Sequence, residues 1–332
     1  MLIISKTNRI KNYCPNCKSE DIIKRGIRKN KKTEVQIYFC RSCNKKFTKR
    51  NNLNKTYTMR EIINSLTYYN MGYTFDEINK KIKIPRVTVF NWVKEYESLF
   101  DLRFNHKEIK IFSEKKEPIT SFRYQHSQLF EFQVHNFKNE KVVYPVYPEL
   151  YKYLDNLSKE ILCNNIYKSS TARASQCKLN IMDKIPIRQI SGNNTTKFSK
   201  LLPDICYNNK DRHNKLEKLL LYNDNSTIAV EVPVYLNLIN YPIEWVRKIT
   251  SENDYIAGHI DFIQVRNNNV YILDYKPNAD KENPLGQLFI YACALSKITG
   301  INFFHIILGW FDENNYYECY TMDVYKEVMK MK

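Results

Sequence analysis

The sequence predicts an α+β chain of several domains. Three observations predict it: cysteine pairs set among short strands within residues 12–50, helical periodicity over 57–100, and helix, strands, helix and strands in turn over 211–325. The boundaries that follow are 1–52, 55–102, an accessory or linker region of uncertain structure at 103–205, and 206–332. At 332 residues the chain is long enough for at least one full-sized core. Hydrophobic residues make up 43% and charged residues 26%, as expected of a globular protein. No apolar run approaches the roughly 18 residues of a membrane span, and the N-terminal apolar stretch is too short for a signal peptide. An intracellular, cytoplasmic location is therefore expected, and the nine cysteines, an odd number, read as thiols or metal ligands before disulfides.

The first domain rests on Cys14-Pro-Asn-Cys17 and Cys40-Arg-Ser-Cys43, two C-x-x-C pairs separated by 22 residues. Two residues between thiols let both sulfurs face one tetrahedral ion, and two such knuckles close a four-sulfur Zn²⁺ site. Ile22–Gly26 leads away from the first knuckle, and the alternating Val35–Phe39 leads into the second. This is a zinc-ribbon layout. Four thiolates leave no open position, so the zinc would be structural and supply much of the folding energy.

Net charge is +17, and residues 1–60 carry 17 Lys and Arg against three acids. Charge so concentrated attracts polyanions by counterion release. A solvated basic tail would carry the same charge, but would not need two metal knuckles inside it. A membrane surface would favour a basic amphipathic helix, which this segment does not contain. The stretch CPNCKSEDIIKRGIRKNKKTEVQIYFCRSCNKKF, with the aromatic Phe47 after the second knuckle, resembles the zinc ribbons of insertion-sequence transposases. The resemblance implies contact with DNA, although related ribbons bind RNA or protein.

In the second domain, Thr58-Met-Arg-Glu61 and Thr74-Phe-Asp-Glu77 match the capping box that opens helices. Ile62, Ile63 and Leu66, then Ile78 and Ile82, then Val89, Trp92 and Val93 after Pro85 are the expected core faces of three helices. Short helices, a tight turn and polar outward positions on the third describe a trihelical helix-turn-helix; a plain helical bundle is the alternative. The segment GYTFDEINKKIKIPRVTVFNWVKEY resembles the helix-turn-helix of transposases and resolvases. That implies a recognition helix presenting Arg86, Thr88, Asn91 and Lys94 to DNA.

The last domain carries the chemistry. Ile228–Tyr235 and Gly258–Ile263 read as strands, Asn267-Asn268-Asn269 as a turn, Val270–Lys276 as a third strand, and Leu285–Ile298 as a helix. Alternation puts Asp274 and Lys276 on one side, Asp261 comes from the neighbouring strand, and Gln287 and Tyr291 share a helical face. Two carboxylates and a lysine suit phosphodiester hydrolysis. The carboxylates offer hard oxygen ligands to Mg²⁺ or Mn²⁺, and the lysine places a cation where charge develops. Proton abstraction by Lys276 would need burial to depress its pKa.

The runs GHIDFI, VYILDYKP and QLFIYACAL, in order and spacing, closely resemble the RecB-like branch of the PD-(D/E)xK nuclease superfamily. The resemblance implies a restriction-endonuclease-like core, with a mixed central sheet flanked by helices. It also implies a histidine ligand on an upstream helix, where His213 of DRHNKLEKLLLY stands, with Glu217 matching that helix's acidic position. On this resemblance His213, Asp261, Asp274 and the Tyr275 main-chain carbonyl bind catalytic Mg²⁺ or Mn²⁺. Asp261, Asp274, Lys276 and Glu217 form the catalytic set, and Gln287 and Tyr291 support the site or touch DNA. Glu231 shares the neighbourhood without an assigned role. Only Cys293 and Cys319 come late, too few for the iron–sulfur cluster some members carry, and Asp261 and Asp274 are too close in sequence for a DDE-type transposase.

The expectation is therefore a metal-dependent DNA nuclease linked to mobile elements, replication or repair. A DNA-binding transcriptional regulator with a non-catalytic nuclease fold is the alternative, and RNA is a second candidate polymer.

Overall fold

Contacts divide the chain into two units, Met1–Thr58 and Met59–Lys332. The computed structural model describes residues 14, 16–17, 19–29, 34–48, 57–97, 100, 106–126, 128–163, 172–206, 211–239 and 255–331. In the first unit β1 (Ile22–Lys29), β2 (Glu34–Cys40) and β3 (Lys46–Thr48) form an antiparallel meander. Among its described residues Cys14, Tyr38, Cys40 and Phe47 form a buried cluster, with Ile22 and Cys43 against them. Tyr38 and Phe47 stack with ring centroids 5.8 Å apart. A cluster of this size offsets little of the entropy of ordering the strands, and the four cysteines within and beside it are placed to add a metal staple.

The second unit begins with α1 (Met59–Asn70), α2 (Phe75–Ile82) and α3 (Arg86–Glu95). Thr74 caps α2 as expected: its hydroxyl accepts from the Glu77 N–H, and the Glu77 carboxylate accepts from the Thr74 N–H. Lys83 ends α2 in a left-handed conformation and Pro85 turns the chain into α3. Ile62, Ile63, Leu66, Ile78, Val89 and Trp92 are buried. Val93, expected in the core, is only half-buried. The helix α4 (His106–Ser113) follows, and its Lys110 ammonium lies 3.7 Å from Glu77.

Within 103–205, expected as a linker or accessory region of uncertain structure, the described residues supply strands at both edges of the main sheet and part of its covering layer. They contain the hairpin β4 (Ile119–His126) and β5 (Gln128–His135), the helical turn α5 (Asn136–Lys138), α6 (Pro148–Cys163), β6 (Ala172–Arg173), β7 (Arg188–Gln189), α7 (Asn194–Ser199) and α8 (Leu202–Ile205). The chain continues through α9 (Arg212–Asn223), β8 (Thr227–Asn237), β9 (Tyr255–Arg266), β10 (Asn269–Tyr275), α10 (Leu285–Thr299), β11 (Ile306–Phe311), β12 (Tyr316–Tyr320) and α11 (Thr321–Val328).

Along the mixed sheet the order is β4-β5-β8-β9-β10-β11-β12-β7, with β6 beside β9. β8, β9 and β10 are antiparallel neighbours, β10 and β11 are parallel, and α10 makes the crossover between them. Positions 256–265 of β9 are all buried, as in a strand covered on both faces. Asn267 and Asn268, both at positive φ, turn β9 into β10. The three-helix unit is joined to the sheet through α9. Asn70 donates to Asn223 Oδ1 at 2.9 Å, and Asn223 donates to the Thr67 hydroxyl at 3.0 Å. Among the described residues no helix is long and apolar enough to cross a membrane.

Candidate metal centre and its cleft

The sequence-predicted residues of the last domain converge on one cleft of about 400 Å³, lined among others by His213, Glu231, Asp261, Asp274, Lys276, Gln287 and Tyr291. His213 and Glu217 sit one turn apart on α9, with Nε2 2.8 Å from Glu217 Oε1. The same imidazole nitrogen lies 3.5 Å from Asp261 Oδ2 and 3.7 Å from Glu231 Oε1. Asp261, on β9, accepts from the Tyr275 N–H at 3.1 Å. Asp274, near the end of β10, approaches the Lys276 ammonium at 2.9 Å.

Candidate ligand atoms of His213, Glu217 and Glu231 lie within 4.8 Å of one another. Glu217 Oε1 and Asp274 Oδ2 are buried and receive no hydrogen bond, despite their short ion-pair distances. The acids here outnumber His213 and Lys276, the two cations that approach them, and an uncompensated buried carboxylate is costly. A divalent cation would relieve that cost, so the residues present fit one. Tyr275 is extended in β10, and its hydroxyl donates to the Glu313 carboxylate at 2.7 Å.

Electrostatics follow from crowding acids into a buried site. Burial, then Glu217 and Asp261, push the Glu231 carboxyl up to about 10. Burial and Asp274 raise Asp261 well above the usual carboxylate range. Burial works against a charged His213, but Asp261, Glu217 and Glu231 outweigh it and hold the imidazole up to about 10. Burial also opposes charge on Lys276, and Asp274 with Asp261 again outweighs it, so its pKa is raised. Lys276 thus lacks the depressed pKa a general base would need, and is held as a cation.

Sequence reasoning left one feature without a role and missed two others. Glu231 is the first: it has φ +49° in the middle of β8, between Val230, which pairs with Phe262, and Val232, which pairs with Ile260. A non-glycine residue so placed costs roughly 1–3 kcal/mol and marks sites where strain serves a purpose. Lys138 is another. It is buried and donates to the carbonyls of Leu221, Asp224 and Thr227, at 2.5, 2.6 and 3.1 Å. It thereby ties the end of α9 to the start of β8, the two elements carrying His213, Glu217 and Glu231; burial lowers its pKa to about 7, against the pull of Asp224. The third is why residue 258 is glycine. A Cβ there would meet the Tyr291 ring at 2.4 Å. The Tyr291 hydroxyl accepts from Gln287 Nε2 at 3.1 Å, so both lie against the site as one wall.

In the first unit, the sulfurs of Cys14, Cys17, Cys40 and Cys43 lie within 4.8 Å of one another. Cys14–Cys43 and Cys17–Cys40 are 3.6 and 3.5 Å apart. That donor set is compatible with structural zinc. Purified protein is expected to contain one zinc per chain by elemental analysis, and Cys40→Ser to lose it. Stoichiometric zinc in a variant with all four cysteines replaced by serine would refute the assignment.

On α3, Arg86, Asn91 and Lys94 are exposed as expected, with Arg86 3.4 Å from Asp76. Thr88 is half-buried, not exposed. It stands four residues before the buried Trp92 and so falls on the inner side of the helix. Val87 and Phe90 are exposed instead, with the Lys94 ammonium 4.5 Å from the Phe90 ring. No protein-family model, curated protein or solved structure matches the chain.

Proposed function

We propose that the chain is a metal-dependent nuclease that hydrolyses DNA phosphodiesters, brought to DNA by its basic ribbon and by α1–α3 acting as a helix-turn-helix. The observation that carries this reading is the convergence of His213, Glu231, Asp261, Asp274 and Lys276 on one cleft, with Glu217 buried beside His213. Asp261 and Asp274, with His213, are the proposed ligands of Mg²⁺ or Mn²⁺, and Glu217 and Glu231 stand beside them. His213 must give up its proton to ligate. An ion bound there supplies Lewis acidity, polarising the phosphate and lowering the pKa of water. Asp261 is held in place by the Tyr275 N–H. Lys276 remains charged and offers its ammonium to the phosphate oxygens as negative charge builds on them. Gln287 and Tyr291 form the wall behind. Arg86, Asn91 and Lys94, with Val87 and Phe90, are the proposed DNA-reading face.

The test is cleavage of linear and covalently closed circular DNA by the full chain with Mg²⁺ and with Mn²⁺. Metal-dependent products are expected from DNA, with RNA as the comparison polymer. A wild-type chain that cuts no DNA or RNA, single- or double-stranded, with either ion would leave a DNA-binding regulator in its place.

A further inference from the structure

The cleft has a cationic element that the reading above does not use. Arg173 and Ser175 line it together with the acids. They come from β6 and the 3₁₀ turn after it, Ala174–Gln176, in the stretch whose sequence pattern said least. The backbone of this segment is held firmly. Ala172 and Arg173 pair with Ile256 and Ala257 of β9, the strand that goes on to Asp261. Asn283 donates to the Leu179 carbonyl at 2.9 Å. A Cβ on Gly286 would come within 2.1 Å of the Cys177 carbonyl oxygen, so the first turn of α10 abuts the segment directly. Ala174 and Cys177 are buried beneath.

The side chains on this anchored backbone are, by contrast, uncommitted. Among the described residues the Arg173 guanidinium forms no ion pair or hydrogen bond, and neither does the Ser175 hydroxyl. The acids of the cleft pair instead with His213 and Lys276. A half-buried guanidinium that lines a carboxylate-rich cleft without closing on a carboxylate is available to an anion from outside the chain. Its planar fork matches the oxygens of a phosphate. A polyanionic strand entering a cleft of acids also meets repulsion that a fixed cation offsets.

We infer that Arg173, with the Ser175 hydroxyl, forms a phosphate subsite that holds a phosphate of the nucleic-acid strand next to the one being cut. The inference rests on the nuclease reading for its substrate and names a binding contact that reading does not contain. The phosphate is either an internal phosphodiester or a terminal monophosphate, and the chemistry of recognition is the same.

The experiment is calorimetric binding of the thymidine dinucleotides pTpT and TpT to the full chain in Ca²⁺. Wild type, Arg173→Ala, Arg173→Lys and Ser175→Ala are compared, with thermal unfolding as the fold control. Arg173→Ala should weaken binding roughly tenfold, the cost of losing a hydrogen-bonded contact to a charged group. Arg173→Lys should recover part of the loss, since the charge returns without the fork, and Ser175→Ala should cost less. Loss on both probes marks an internal phosphodiester, and loss on pTpT alone marks a terminal phosphate. Equal affinity of wild type and Arg173→Ala, no dinucleotide binding by wild type, or a loss explained by unfolding would each overturn the subsite. These results are independent of cleavage, so an inactive wild type that binds dinucleotides through Arg173 refutes the catalytic reading and leaves the subsite standing.

Discussion

Asp274→Ala and Asp261→Ala are each expected to lower Mg²⁺- or Mn²⁺-dependent cutting by roughly a hundredfold to a thousandfold or more, the scale of losing one preorganised electrostatic partner of a reacting centre. The two substitutions should not unfold the protein. Asp274 and Asp261 crowd one another in the buried site, so removing either eases their repulsion and offsets the Lys276 ion pair or Tyr275 N–H hydrogen bond that is given up. Lys276→Ala should reach a comparable loss by a different route. Its ammonium contributes to the stage at which charge builds on the phosphate, so kcat should fall while DNA affinity in Ca²⁺ stays within about threefold. Mn²⁺ affinity should fall only for the aspartate variants. Two results would sink this division of roles: an aspartate variant that still cuts, or a Lys276→Ala variant that loses KM alone. A drop in thermal stability parallel to activity in all three would assign them to the fold instead.

How much of this was legible in the sequence depends on where each residue's partners lie. β9, β10 and α10 were legible because apolar runs are bounded by local signals, with Asn267 and Asn268 at the turn. The capping box of α2 was legible because both of its residues lie within four positions. The pairing of Asp274 with Lys276 follows from strand alternation alone. Residues 103–205 were opaque because their order comes from distant partners: Gln133 and Val134 of β5 pair with Val230 and Ala229 of β8. Lys138 gives no signal, since all three of its acceptors are main-chain carbonyls about 85 residues away. Glu231 was noticed in the sequence but left without a role, because its positive φ and its place beside His213 appear only in the fold. Thr88 was misplaced because the buried face of α3 is set by contacts with α1 and α2, which periodicity in a ten-residue helix leaves under-determined.

The acid cluster also predicts how stability should move with pH. In the folded chain the Glu231 carboxyl keeps its proton up to about 10, whereas an unperturbed one releases it near 4.5. Between those values the folded state binds the extra proton, so this contribution is complete below about 4.5 and is lost as pH rises toward 10. His213 is held up by these same acids, so it shares one set of protons with them and moves in the same direction without adding an independent contribution. Asp261, also raised, adds to the trend. Metal-free protein should therefore have its highest Tm near pH 5 and melt progressively lower up to pH 9. A divalent cation takes over the neutralising role of the protons, so Mn²⁺ should stabilise little at pH 5 and strongly at pH 8. At a hundred times its Kd an ion binding only the folded state adds about 2.7 kcal/mol, or roughly 5–10 °C in a unit of this size. Glu231→Gln should flatten the pH dependence without metal, and Asp261→Asn should remove most of the Mn²⁺ response. Neither substitution touches the four cysteines, so their effects report on the cleft and not on zinc. A metal-free Tm that rises from pH 5 to pH 8, or an Mn²⁺ shift undiminished in Asp261→Asn, would show that the buried acids neither store protons nor hold the ion.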